Sequence, residues 1–135
     1  GSAGANAYMA CVAPFLEDWC EDEIKRRQFA ESIALFGRLM AGPQRAGLMR
    51  CYRGEAYRLR GAAGDADLAL EDYRQATEVQ ASSPPVPKAY RGIGLIERQR
   101  QRRQEAAQAF QRYLELAPGA PDAGLIRSYL EDMNT

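Results

Sequence analysis

The sequence contains no histidine, and that absence removes several kinds of site at once. Ser-His and Cys-His nucleophile pairs, H-E-x-x-H zinc sites and facial iron triads all require an imidazole. Any catalysis would have to run on carboxylates, lysine or tyrosine. Acids such as Glu55 and Glu97 can divide acid and base roles when a cleft brings them together, but nothing in their spacing does so. No enzyme activity, metal or cofactor is expected. Cysteine is scarce: Cys11, Cys20 and Cys51 are the three present, with no C-x-x-C spacing, which excludes zinc ribbons and thioredoxin-like motifs. The odd count leaves at least one thiol unpaired within the chain. Free cysteine often packs as a small apolar residue, the reading preferred here over a Cys20–Cys51 disulfide. No apolar run approaches the roughly 18–20 residues that span a bilayer, and no basic-then-apolar leader opens the chain. No membrane span or targeting signal is expected, and the compartment stays open between bacterial cytoplasm and periplasm.

Net charge is also missing, since 18 basic residues balance 18 acidic ones. A dedicated nucleic-acid binder would carry a strong positive field, so nucleic acid is not the expected partner. The balance hides segregation. Residues 17–23 hold five acids, and residues 88–112 hold seven bases against two acids. The acids at 17–23 point around most of a helix circumference and lack the turn spacing of a calcium loop. The basic run from Arg98 to Arg103 crosses a helix end, where cations suit the dipole; with no aromatic inside it to stack bases, it reads as a solvated turn. Sixteen arginines against two lysines point to a GC-rich bacterial genome.

What is present is an ordinary globular composition, 46% apolar and 27% charged over 135 residues, enough for one core. Residues 1–12, beginning Gly-Ser-Ala-Gly, are expected to be a tag or disordered lead, and 13–135 a single domain. Apolar residues recur at helical spacing throughout, and strand patterns are missing. Seven helices are predicted: about 14–27, with Phe15, Leu16, Trp19 and Ile24 on one face, then 29–40, 44–60, 67–79, 88–100, 104–117 and 121–133. Gly42-Pro43, the Gly61–Ala66 stretch, the proline-rich Ser82–Pro87 segment and Pro118-Gly119 punctuate them. Trp19, Phe15 and Phe36 read as core. Short helices joined by short turns fold as antiparallel hairpins, and hairpins of like size stack.

The helix pairs recur along the chain, and a helix-turn-helix unit with a period of about 34 residues is a known repeat signature. The copy at 87–118 has Tyr90, Ile93, Gly94, Ala106, Phe110 and Pro118, where small residues let two helices approach and large ones fill the space opposite. This pattern resembles the tetratricopeptide repeat. It departs from the family at Glu97, where an aromatic is usual, and at Gln101, where glycine is usual. The copy at 44–81 keeps Gly54, Tyr57, Ala69, Tyr73 and Ala76, with three extra residues in its turn. The copy at 13–43 is more divergent, with Trp19, Cys20 and Phe36 resembling the pattern and Ser32 replacing the usual alanine. The resemblance implies an all-α, right-handed superhelical stack of three hairpins, with residues 121–133 as a capping helix. The stretch from Arg112 to Leu130, with Gly54–Gly61, also resembles the repeat tail of some bacterial envelope zinc metalloproteases, which would make this chain the non-catalytic part of such a protein.

In such stacks the first helices line a groove that holds a peptide or protein segment. Carried over, the groove positions are Glu21 and Lys25, then Glu55 and Arg58, then Lys88, Arg91, Leu95 and Arg98, with Glu17, Ile24, Leu48, Cys51 and Gln99 beside them. Arginine grips carboxylates through paired hydrogen bonds, so Arg58, Arg91 and Arg98 imply an acidic or C-terminal ligand. Solvated charges paired with neighbours are the plain alternative. The chaperone-binding carboxylate clamp of some members is not expected, because only Lys88 matches it. The function implied is an adaptor that binds protein without chemistry. Two other readings use the same features: RNA binding along Arg53, Arg58, Arg91 and Arg98, and homodimerisation through an unsealed terminal repeat.

Overall fold

A computed structural model describes residues 15–40, 43–78 and 85–134. Among them are seven helices and no strand: α1 over 15–25, α2 Phe29–Arg38, α3 Pro43–Arg60, α4 Asp65–Thr77, α5 Pro87–Gln99, α6 Arg103–Leu116 and α7 Ala123–Met133. The expected all-helical repeat stack is what forms. Contacts run between α2 and α3, α3 and α4, α4 and α5, α5 and α6, and α6 and α7, and the first helices α3 and α5 also touch each other.

Prolines and glycines set the joints. Pro43 begins α3 and Pro87 begins α5, positions where a missing N–H leaves no helical bond unmade. Pro43 therefore opens α3, while α2 already closes at Arg38, with the Leu39 N–H returning to the Leu35 and Phe36 carbonyls. The longer α3–α4 turn passes through Gly61 and Gly64, both in the left-handed region at φ 67° and 83°. The α4 helix starts at Asp65, two residues earlier than the sequence pattern suggested. Its carboxylate accepts the Ala62 N–H at 3.0 Å and two bonds from Arg60 at 2.8 and 2.9 Å, which fixes the first turn. The predicted ends at Val79 and the Ser82–Pro84 spacer lie outside the described residues, as does Cys11.

Three apolar clusters follow one another along the stack. Cys20, Phe36, Met49 and Tyr52 join α1, α2 and α3; Cys51, Tyr73, Ala89 and Ile96 join α3, α4 and α5; Phe110, Tyr113 and Ile126 join α6 to α7. Tyr129, Leu130 and Met133 of α7 cover that last cluster, so α7 caps the stack. Cys20 and Cys51 are buried free thiols, and burial pushes the Cys20 thiol up to about 12. The packing reading of both holds. Phe15 differs from expectation: it is 74% exposed, because the buried stripe of α1 runs Leu16, Cys20, Ile24 at i, i+4 spacing and Phe15 sits about 100° away. Trp19 lies at the edge, meeting the Phe36 ring edge-on at 6.1 Å.

Acid should loosen this architecture in a specific way. Hydrogen bonds from Arg60 hold the Asp65 carboxyl below its ordinary value of 3.8, and those from Arg100 do the same to Asp67. A folded-state value below the unfolded one gives stability that is complete above the ordinary value and lost as pH falls through the folded value. Unfolding midpoints are expected to hold from pH 7 to 5 and fall below about pH 4. Asp65→Asn should lie below wild type at pH 7, with the gap closing toward pH 3. A gap that stays constant to pH 3 would rule out this titration as the source.

Candidate functional site

Five of the predicted groove positions meet where α1, α3 and α5 come together, and Asp122, just before α7, joins them. Lys88 of α5 makes an ion pair with Glu21 of α1, although α3 lies between those helices. The α1 and α5 side chains thus meet over the face of α3, on either side of the Tyr52 hydroxyl.

The floor of this face is a chain of tyrosine–carboxylate–cation contacts. Tyr52 donates to Glu21 Oε1 at 2.6 Å, and Lys88 Nζ lies 3.3 Å from the same hydroxyl. Tyr73 donates to Glu55 Oε1 at 2.5 Å, while Arg58 and Arg91 each reach Glu55 Oε2 at 3.1 Å. Arg91 also donates to Asp122 Oδ2 at 3.1 Å, and Tyr113 donates to Asp122 Oδ1 at 2.6 Å. Burial pushes all three phenols upward, Tyr113 to about 12, so each remains a proton donor at neutral pH. Burial also presses the Lys88 ammonium down, with Arg91 adding to the effect. For Asp122 burial acts upward, but the bonds from Tyr113 and Arg91 outweigh it and hold the carboxyl low.

The structure thus brings together five of the eight groove residues, Glu21, Glu55, Arg58, Lys88 and Arg91. They bind one another, and three cations meet three carboxylates once Asp122 is included. Leu95 packs against the α6–α7 cluster. Lys25 is exposed on α1 and Arg98 on α5, where the Arg98 guanidinium stacks 3.9 Å above the Tyr129 ring. Tyr52, Tyr73, Tyr113 and Asp122 were not anticipated as site residues. One signal was available: Ala69, Tyr73 and Ala76 align with Ala106, Phe110 and Tyr113, so Tyr113 puts a large polar ring where the preceding copy has a methyl group.

The other sequence candidates are also accounted for. Glu97 is buried between Arg100 and Arg102 at 3.9 and 3.4 Å, and Glu55 is held as described, so neither acid stands open for proton transfer. Arg53 makes a bidentate pair with Asp72, both bonds 2.7 Å. Three of the four arginines of the RNA reading, Arg53, Arg58 and Arg91, thus hold internal carboxylates. Among the described residues no group of three or more Cys, Asp or Glu side chains is arranged to hold a metal ion, and no helix is long and apolar enough to cross a membrane.

Paired helices packed each on the next define a helical-repeat interaction module. The family model described as tetratricopeptide repeat matches residues 58–121, from the end of α3 through α6. Residues 58–121 are thus a tetratricopeptide-repeat segment. No curated protein and no solved structure matches it.

Proposed function

We propose that the chain binds an extended segment of another protein along its concave face and performs no chemistry on it. Tetratricopeptide repeats are generally non-catalytic interaction modules. The observation that carries the reading is the bonded floor that ties α1, α3 and α5 together, Lys88 to Glu21 beside Tyr52 and Arg91 to Glu55, because it fixes one face of the stack before anything binds. A face held by its own bonds loses little freedom on binding, so the ordering cost falls mainly on the ligand and micromolar affinity, about −8 kcal/mol, is expected. The cations of the floor already face internal carboxylates. Acid preference therefore belongs to the rim, at Lys25 and Arg98.

Selection of twelve-residue peptides from a random display library, followed by chemical-shift mapping of the enriched sequences, tests this. Shifts centred on Glu21, Lys88, Leu95 and Arg98 are expected. Shifts centred on the exposed faces of α2, α4 and α6, for example at Leu68, or a failure to enrich any peptide, would reject the groove.

A further inference from the structure

The basic run 98–103 divides into two functions. Arg100 donates to Asp67 Oδ1 at 2.7 Å, and Arg102 lies 3.4 Å from Glu97, so these two fasten the α5–α6 turn. Arg98 and Arg103 instead line a cavity of about 580 Å³, together with Gln99, Gln101, Asp132 and Met133 of the turn and the end of α7. Two guanidinium groups and two carboxamides stand there against one carboxylate. The wall has a surplus of one positive charge and many N–H donors.

One feature pre-orders this wall for a ligand. Arg98 is pinned over Tyr129 with its Cζ 3.9 Å from the ring centre, a cation–π contact that orients the guanidinium before anything binds. Gln101 has φ 62°, in the left-handed region where a side chain is strained by about 1–2 kcal/mol. Glycine would relieve that strain and is the usual residue of the repeat at this place. Arg27 takes the same conformation at the α1–α2 turn, so the backbone is the ordinary end of a first helix, and what glutamine adds here is a carboxamide in the cavity. Asp132 limits the surplus to one charge, which suits a monoanionic carboxylate better than a nucleic-acid backbone.

We infer that this cavity is a carboxylate subsite, receiving an aspartate, glutamate or C-terminal carboxylate of the segment bound in the groove. The inference rests on the groove reading and fails separately from it. The test titrates the labelled full chain with acetyl-Ala-Ala-Ala-Glu-Glu, its C-terminal amide, acetyl-Ala-Ala-Ala-Gln-Gln amide and a ten-nucleotide thymidine strand. Side-chain N–H signals of the arginines and glutamines are followed. Saturable shifts at Arg98, Gln99, Gln101 and Arg103 are expected with the glutamate peptides, at least tenfold weaker in R98Q/R103Q and unchanged in the distant R38Q. Retained binding of the amide assigns a side-chain carboxylate, and its loss assigns the chain terminus. Gln101→Gly is a second variant that does not threaten the fold, expected to be more stable than wild type yet to bind several-fold more weakly. Shifts centred on Lys88, Arg58 and Arg91 would overturn the subsite and leave the groove reading intact. Equal binding of the glutamine peptide, no shifts at all, or tighter binding of the thymidine strand would also overturn it, and the groove would then be judged by its own peptide selection.

Discussion

Gly92→Ala is expected to destabilise the chain by about 3 kcal/mol, at the upper end of what overpacking a core does. For a chain of this size that corresponds to a fall in melting temperature of roughly 10 °C. A Cβ at Gly92 would stand 2.2 Å from Tyr73 Cζ and 2.5 and 2.6 Å from the two Cε atoms. The ring also packs closely on Gly54, where an added Cβ would lie 3.0 Å from Cε1, which leaves it little room to retreat. Nor can it turn, since its hydroxyl donates to Glu55 and receives a bond from Arg58 Nε at 3.1 Å. Alanine is the better helix former by about 1 kcal/mol, a gain too small to offset three contacts of this kind. Gly124→Ala in α7 isolates that gain, because a Cβ there meets nothing within 4 Å, and it should be neutral or slightly stabilising. Urea unfolding of both variants decides the matter. A Gly92→Ala midpoint close to wild type would mean that α4 and α5 do not pack through Tyr73.

The glycine contacts show what the sequence makes legible. Gly54 and Gly94 in the first helices stand 40 residues apart and Tyr73 and Phe110 in the second 37 apart, a difference equal to the three extra residues in the α3–α4 turn. Their complementarity is local to each hairpin: a Cβ at Gly94 would lie 2.4 Å from Phe110, within its own copy. Helix count, hairpin order and the cap could therefore be read from periodicity and punctuation. The floor of the groove could not. The bonds that tie its first helices together join residues 31 and 36 apart, Tyr52 to Glu21 and Arg91 to Glu55, and whether they form depends on how one hairpin packs on the next. That packing lies between copies, where Gly92 admits Tyr73, and no short pattern encodes it. Position alone marked Glu55, Arg58 and Arg91 as ligand-facing, and carried no sign that they would face each other first.

Glu55 is where that difference has its largest effect. Glu55→Ala is expected to destabilise the fold by about 3 kcal/mol, the low end for breaking a buried pair. It is the low end because the Arg58 and Arg91 side chains keep 22% and 20% of their surface exposed and can turn toward water. The Tyr73 hydroxyl, on a fully buried residue, cannot reach water, so much of the loss should come from that one stranded donor. Adding Tyr73→Phe to Glu55→Ala should then recover about 1 kcal/mol, since removing both partners of a buried bond costs less than removing one. Glu55→Gln keeps the shape and an acceptor, and should lose roughly half as much as alanine. It also releases two guanidinium groups from their internal counterion while the fold persists. An acidic peptide such as acetyl-Ala-Ala-Ala-Glu-Glu should bind Glu55→Gln several-fold more tightly than wild type, with new shifts at Arg58 and Arg91. Unchanged binding with an unchanged footprint would show that these arginines are screened by something other than Glu55, and Asp122, the second carboxylate on Arg91, would be the next to neutralise.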